Sequence, residues 1–137
     1  MSTIHNTAII GSDVVIGENV IIGAYSIIED GVKIANNNTI MSSVFITGNT
    51  DIGTSNIFHP FCSIGSAPQD LKFKNEITKL SIGNNNIFRE YANINVGTEG
   101  GGGITLVGNN SLFMVGAHIA HDCIVGNNIV MANQATI

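Results

Sequence analysis

Every sixth residue of this 137-residue chain is apolar, over almost its whole length. Ile10, Ile16, Ile22, Ile28, Ile34, Ile40, Ile46, Ile52, Phe58 and Ile64 form one unbroken series. Ile82, Phe88 and Ile94 form a second, and Val107, Phe113, Ile119, Val125, Met131 and Ile137 a third. A strand alternates every two residues and a helix about every 3.6, and neither alone yields a period of six. A triangular β-coil does, because each flat face takes one six-residue unit and three units close a turn. The period therefore predicts an all-β fold: a hexapeptide-repeat parallel β-helix, one domain over 1–137. Successive coils are expected about 4.8 Å apart. Left-handed winding is expected from the class of hexapeptide coils, which depart from the right-handed crossovers of ordinary parallel sheets.

Composition agrees with a narrow prism. Charged residues make up 11% of the chain, against about 25% in an ordinary domain. Tryptophan is absent, and Ile, Val, Asn, Gly and Thr dominate. β-Branched side chains suit the interior and small ones the corners. Glycine often follows the core position, as at Gly17, Gly53, Gly83 and Gly108, and asparagine follows soon after. Both tolerate positive φ, which predicts tight corners at these glycines.

The net charge is −5 with only five Lys and Arg residues, so no basic stripe exists and nucleic acid is excluded as a partner. Cys62 and Cys123 each stand two residues before a core position. They read as reduced packing residues rather than as a disulfide or a metal site. The first residues, Met1-Ser2-Thr3-Ile4-His5-Asn6, show no secretory signal, and no apolar run is long enough to span a membrane. Cytoplasm is the expected location.

Two stretches break the pattern. Ser66-Ala67-Pro68-Gln69-Asp70-Leu71-Lys72-Phe73-Lys74-Asn75-Glu76 lacks both apolar and glycine periodicity, and is expected to project as a loop near 66–79. Ile64 and Ile82 are eighteen residues apart, which reads as one full coil with the phase kept. The loop holds an amide, an acid and a base within four residues, with aromatic and apolar neighbours as expected anchors. Thr98-Glu99-Gly100-Gly101-Gly102-Gly103-Ile104 makes the hexad slip, since Ile94 and Val107 are thirteen apart, and predicts a second loop near 97–104.

The densest polar cluster is Ala117-His118-Ile119-Ala120-His121-Asp122-Cys123. Core register turns Ala117, Ile119 and Cys123 inward, so His118 points outward and His121 and Asp122 fall in the next corner. Histidine is the usual general base near neutral pH. A neighbouring carboxylate can orient it and stabilise its charged form. His5 and His59 read as incidental. A zinc site on His118 and His121 would need a third ligand, with His59 the one candidate away from the termini, and no metal is expected.

With these segments in view, the chain resembles the acyl-(acyl carrier protein)–UDP-N-acetylglucosamine O-acyltransferases, which open lipid A synthesis in Gram-negative bacteria. The resemblance runs from Ile4-His5-Asn6-Thr7-Ala8 to Ile137. It is carried by Ser63-Ile64-Gly65 leading to Gln69-Asp70-Leu71-Lys72, by Gly97-Thr98-Glu99-Gly100-Gly101-Gly102, and by Ala117 to Cys123, in the family's order and spacing. It implies transfer of a 3-hydroxyacyl group from acyl carrier protein to the 3-hydroxyl of UDP-N-acetylglucosamine. It also implies a homotrimer with the site between subunits, and no cofactor. By the same resemblance, His121 is the general base and Asp122 its orienting partner. His118 belongs to the sugar and thioester site. Asp70 and Lys72 hold the sugar nucleotide, and Gln69 contacts the acyl hydroxyl.

Two departures stand out: Asn95-Val96 where the family carries His-Arg, and Gly116 where Asn is usual. The family also runs to about twice this length. An N-terminal fragment with little turnover of its own is therefore expected. The alternatives are an N-acyltransferase acting on an amino-substituted UDP-sugar and a non-catalytic β-helix that only self-associates.

Overall fold

The computed structural model covers residues 1–137 and contains nineteen short strands. They assort into three parallel sheets, the faces of a left-handed triangular prism. The first face has seven strands: Thr3–Ile4, Ile21–Ile22, Thr39–Ile40, Ile57–Phe58, Ile87–Phe88, Leu112–Phe113 and Val130–Met131. The second has six: Ile9–Ile10, Ile27–Ile28, Phe45–Ile46, Ser63–Ser66, Asn93–Asn95 and His118–Ile119. The third also has six: Val15–Ile16, Lys33–Ile34, Asn49–Ile52, Lys79–Ile82, Ile104–Val107 and Ile124–Val125. No helix is long and apolar enough to cross a membrane.

Most strands end on a hexad residue, whose side chain turns inward. From Ile22 to Met131 the hexad residues are all buried. Ile10 and Ile16, expected buried, are only partly so, and Ile137 is 51% exposed. These three lie in the end coils, where no further coil covers them. A second inward residue, two positions earlier, completes each layer, as at Val20, Val32, Val44 and Leu80. On the first face Phe58, Phe88 and Phe113 stack with ring centroids 4.8 and 4.9 Å apart, one ring per coil. Cys62 is buried, and burial pushes its thiol up to about 12, as suits an inert packing residue. Cys123 packs partly buried against the core, and both cysteines are free.

The interior is not wholly apolar. Asn38, Asn56 and Asn86 are fully buried in one column between the third and first faces. A buried amide must find partners. The Asn38 Nδ2 donates to the Gly53 carbonyl at 2.7 Å, and its Oδ1 accepts from the Asn56 amide at 2.8 Å. Asn56 repeats the pattern with Gly83 and Asn86, and Asn86 with Gly108 and Ser111. Each coil is thus tied to the next by side chain as well as by backbone.

Of the two residue types expected to turn the corners, asparagine does so at several, whereas Gly17, Gly53, Gly83 and Gly108 do not. Residues two positions later carry the positive φ, such as Asn19 (55°), Asn85 (58°) and Asn110 (59°). Gly83 itself has no positive φ. A Cβ there would overlap the Asn109 side chain and the Gly108 carbonyl of the next coil. Glycine at this position permits stacking rather than turning.

The first interruption also differs from expectation. Ile64 lies on the second face, opposite Ile46 and Ile94, whereas Ile82 lies on the third, opposite Ile52 and Val107. Their spacing of eighteen is not a coil. It is one hexad plus twelve inserted residues, 67–78. The second insertion, between Asn93–Asn95 and Ile104–Val107, leaves from the same corner one coil later. Both loops therefore emerge side by side, at the corner where His121 and Asp122 also fall.

Candidate functional site

Asp122 anchors the site. It turns the corner after the His118–Ile119 strand with φ 65°, a left-handed conformation that Asp tolerates. Its amide donates to Thr105 Oγ1 at 2.9 Å in the coil below. The Thr98 amide donates to Asp122 Oδ1 at 2.6 Å, and the Thr98 hydroxyl donates to Oδ2. The same Oδ2 accepts from His121 Nδ1 at 2.7 Å. Burial works to raise the Asp122 carboxyl, but the Thr98 hydroxyl, the Thr98 amide and the His121 ring outweigh it and hold the group below the usual carboxylate range.

The glycine loop is shaped around this carboxylate. Thr98 is buried and caps a short 3-10 turn, Glu99–Gly101. A Cβ on Gly101 would overlap the Asp122 carboxylate, so that glycine is required for space. Gly102 (φ 114°) and Gly103 (φ 83°) then reverse the chain.

The first loop closes the other side. The Asp70 carboxylate caps its own turn, accepting from the Lys72 amide at 2.9 Å. Glu76 joins the two loops: its Oε1 accepts from the Lys74 amide at 2.7 Å and its Oε2 from the Glu99 amide at 3.3 Å. Those backbone donors, led by Lys74, lower its carboxyl below the usual range. Of the apolar and aromatic neighbours expected as anchors, Leu71 is wholly exposed and Phe73 is half-buried, and Ile77 further along is almost wholly exposed. Pro68 and Thr78 are the buried residues of the segment.

Between the loops lies a cavity of about 540 Å³. Asp70, Lys72 and Glu76 line it from the first loop, Thr98 to Gly101 from the second, and His121 and Asp122 from the corner. None of its nine lining residues is hydrophobic. Such a space suits a polyhydroxylated ligand and not a hydrocarbon chain. A second cavity of about 320 Å³ lies beneath the first loop, with Glu76 as the shared wall.

Of the residues singled out from sequence, Asp70, Lys72, His121 and Asp122 meet in this cavity. Gln69 and His118 do not line it. Gln69 is exposed on the loop. His118 lies on the outer side of the second face and its Nδ1 donates to the Asn93 carbonyl at 3.2 Å. His59 sits elsewhere, 3.8 Å from Glu90 Oε1, and no cluster of three or more His, Cys, Asp or Glu residues could hold a metal ion. Thr98, Thr105 and Glu76 were not singled out. The contacts of Thr98 and Thr105 with Asp122, and of Glu76 with Glu99, arise only when coils stack, so no local motif announces them. Asn95, at the departure from the family pattern, is buried and donates to Ser66 Oγ at 3.0 Å, tying the base of the first loop.

Comparison with known proteins gives a consistent result. Residues 1–36 match the family described as bacterial transferase hexapeptide (six repeats). The acyl-(acyl-carrier-protein)–UDP-N-acetylglucosamine O-acyltransferase of Rickettsia bellii is 49% identical over 122 residues, covering 89% of this chain and 43% of the relative. That of Thermodesulfovibrio yellowstonii is 45% identical over 137 residues, covering all of this chain and 53% of the relative. The solved LpxA of Acinetobacter baumannii superimposes with a TM-score of 0.96 at 44% identity, over 97% of this chain and 52% of that one. The UDP-N-acetylglucosamine acyltransferase LpxA of Bacteroides fragilis gives 0.96 at 42% identity, over 98% and 52%. The chain spans about half the length of the curated relatives it matches, and its likeness is to their N-terminal half.

Proposed function

We propose that this chain is the part of an acyl-(acyl-carrier-protein)–UDP-N-acetylglucosamine O-acyltransferase that receives the sugar and holds the general base. The observation that carries the reading is the His121–Asp122 pair, hydrogen-bonded at 2.7 Å and opening into a cavity without a hydrophobic wall. Because Asp122 accepts from Nδ1, the His121 Nε2 is left with its lone pair. In the reaction Nε2 takes the proton of the glucosamine 3-hydroxyl as that oxygen bonds to the thioester carbonyl carbon. The carbon–sulfur bond then breaks, the ester is formed, and the carrier thiolate takes the proton back from the imidazolium. Ionised Asp122 stabilises that imidazolium and is not itself protonated.

Charge sorts the substrate. The lining carries four carboxylates (Asp70, Glu76, Glu99 and Asp122) against one ammonium, Lys72. Sugar hydroxyls and the acetamide can bond to these groups, whereas a diphosphate is repelled and stays outside, with Lys72 as the nearest cation. Exposed Leu71 and Ile77 on the first loop are apolar surface for a neighbouring copy to cover, in keeping with a homotrimer. The proposed setting is the cytoplasm, where acyl carrier protein supplies the 3-hydroxyacyl group.

The test is ligand contact together with transfer. Saturation-transfer NMR should show UDP-N-acetylglucosamine engaged through its sugar ring, with the signal lost in Asp70→Asn and weakened in Lys72→Ala. In a chain completed with the relatives' further coils, an assay with 3-hydroxyacyl carrier protein should give ester at the 3-hydroxyl, abolished by His121→Ala. Contact through uridine alone, or ester formation that survives His121→Ala, would overturn the reading.

A further inference from the structure

The His121 ring can form its 2.7 Å bond to ionised Asp122 only with a proton on Nδ1, which in the neutral ring is the Nδ1–H tautomer, and the proposed base needs that tautomer. The groups behind Asp122 also have a fixed direction. The Gly101 amide, which can only donate, donates to Thr98 Oγ1 at 3.1 Å. The Thr98 hydroxyl, having accepted that bond, points its own proton at Asp122 Oδ2. The Thr98 amide donates to Oδ1 at 2.6 Å, so both carboxylate oxygens are engaged from the glycine loop.

Every donor in this chain points one way, from a backbone N–H through a hydroxyl to a carboxylate. The carboxylate is left as a pure acceptor toward the imidazole. Burial strengthens the arrangement, since Thr98 is 5% exposed and water has little access to replace its hydroxyl.

We infer that Thr98 is a positioning residue that sets the tautomer of His121 through Asp122, and that the glycine run exists to deliver it. Gly101 lacks a Cβ because the Asp122 carboxylate occupies that space, and Gly102 and Gly103 turn the chain so that the Gly101 amide and the Thr98 hydroxyl stay in line. The inference rests on His121 being the base. It adds that the base is prepared by a loop from the coil below and not by Asp122 alone.

The experiment reads the tautomer directly. Two-dimensional ¹⁵N imidazole spectra of the 137-residue chain should show neutral His121 as Nδ1–H with a bare Nε2. Thr98→Val, which keeps the backbone amide and loses the hydroxyl, should shift the population toward Nε2–H and raise the pH at which the Asp122 carboxyl ¹³C signal titrates. Thr98→Ser should restore both. Asp122→Asn offers a second arm: with its carbonyl held by the Thr98 amide, its Nδ2 faces the ring as a donor and should drive His121 to Nε2–H. If Thr98→Val does not fold, the wild-type spectrum decides, because the Thr98 hydroxyl proton and the His121 Nδ1 proton should both be protected from exchange and show mutual cross-peaks. An unchanged Nδ1–H tautomer in folded Thr98→Val, or an unprotected Thr98 hydroxyl, would overturn the inference. These readouts need no substrate. A missing acyl transfer by the chain completed with the relatives' further coils, beside the expected spectra, therefore counts against the proposed function and leaves the positioning role standing.

Discussion

Ile52 and Ile82 face each other across adjacent coils although thirty residues separate them in the chain. The stacking continues through the first loop as if residues 67–78 were not there. Removing those twelve residues should leave a folded β-helix, because lengthening or shortening a surface loop changes closure entropy only slowly. Circular dichroism should stay β-rich, with the melting temperature within a few degrees. Binding of UDP-N-acetylglucosamine should be lost together with Asp70, Lys72 and Glu76.

Ile40 is fully buried between Ile22 and Phe58 on the first face. Ile40→Asp would place an unpaired charge in the dry prism, at a cost of several kcal/mol in order of magnitude. Thermal melting should show an unfolded or severely destabilised chain. An unchanged melting temperature would be incompatible with the hexad register.

The hexad made the prism legible from sequence because burial of one side chain per face is the whole physical content of the period. The same period hid that the first loop is inserted between two faces rather than taking the place of a coil. Ile64 and Ile82 stand eighteen apart, and a spacing of one hexad plus twelve residues has the same phase as one coil. The role of Gly83 was misread for a related reason: sequence marks a corner glycine, but the Asn109 side chain that forbids its Cβ belongs to the next coil. At the site, His121 and Asp122 were legible as chain neighbours in one corner. Thr98 was not, since a seven-residue insertion carries it away from the hexad count and only stacking returns it to Asp122.

In a chain completed with the relatives' further coils, His121→Ala should reduce acyl transfer by a factor of about 10² to 10⁴, the usual contribution of a general base. Asp122→Asn should cost a comparable factor, because its amide turns His121 to the Nε2–H tautomer and leaves no lone pair toward the substrate hydroxyl. Steady-state rates with labelled UDP-N-acetylglucosamine, read beside sedimentation to confirm unchanged assembly, check both.

Acid should expose the Asp122 network. Its folded carboxyl lies below the usual range, so the stability it lends is fully present above the unfolded value of about 3.9 and is lost as pH falls through the folded value. The melting-temperature advantage of the natural chain over Asp122→Asn should be constant near neutral pH and shrink below about pH 4. Glu76 and Glu90 shift in the same direction but are present in both proteins, so they cancel from the difference.

The column of stacked phenylalanines has a consequence for how the coils find one another. Four residues after Phe58, Phe88 and Phe113 the inward side chain is small: Cys62, Ala92 and Ala117. Four residues after Ile40 it is Val44. Bulk on one face is matched by a small side chain on the next, and the pairing changes between the coil of Ile40 and the coil of Phe58. A growing solenoid that skipped a turn would bring a ring into a layer already filled by valine. The packing thus separates the three coils that take a ring from the coil before them. The first two ring-bearing coils each release one loop and the third brings His121 and Asp122 to the same corner, so the change of packing marks where the site begins along the prism.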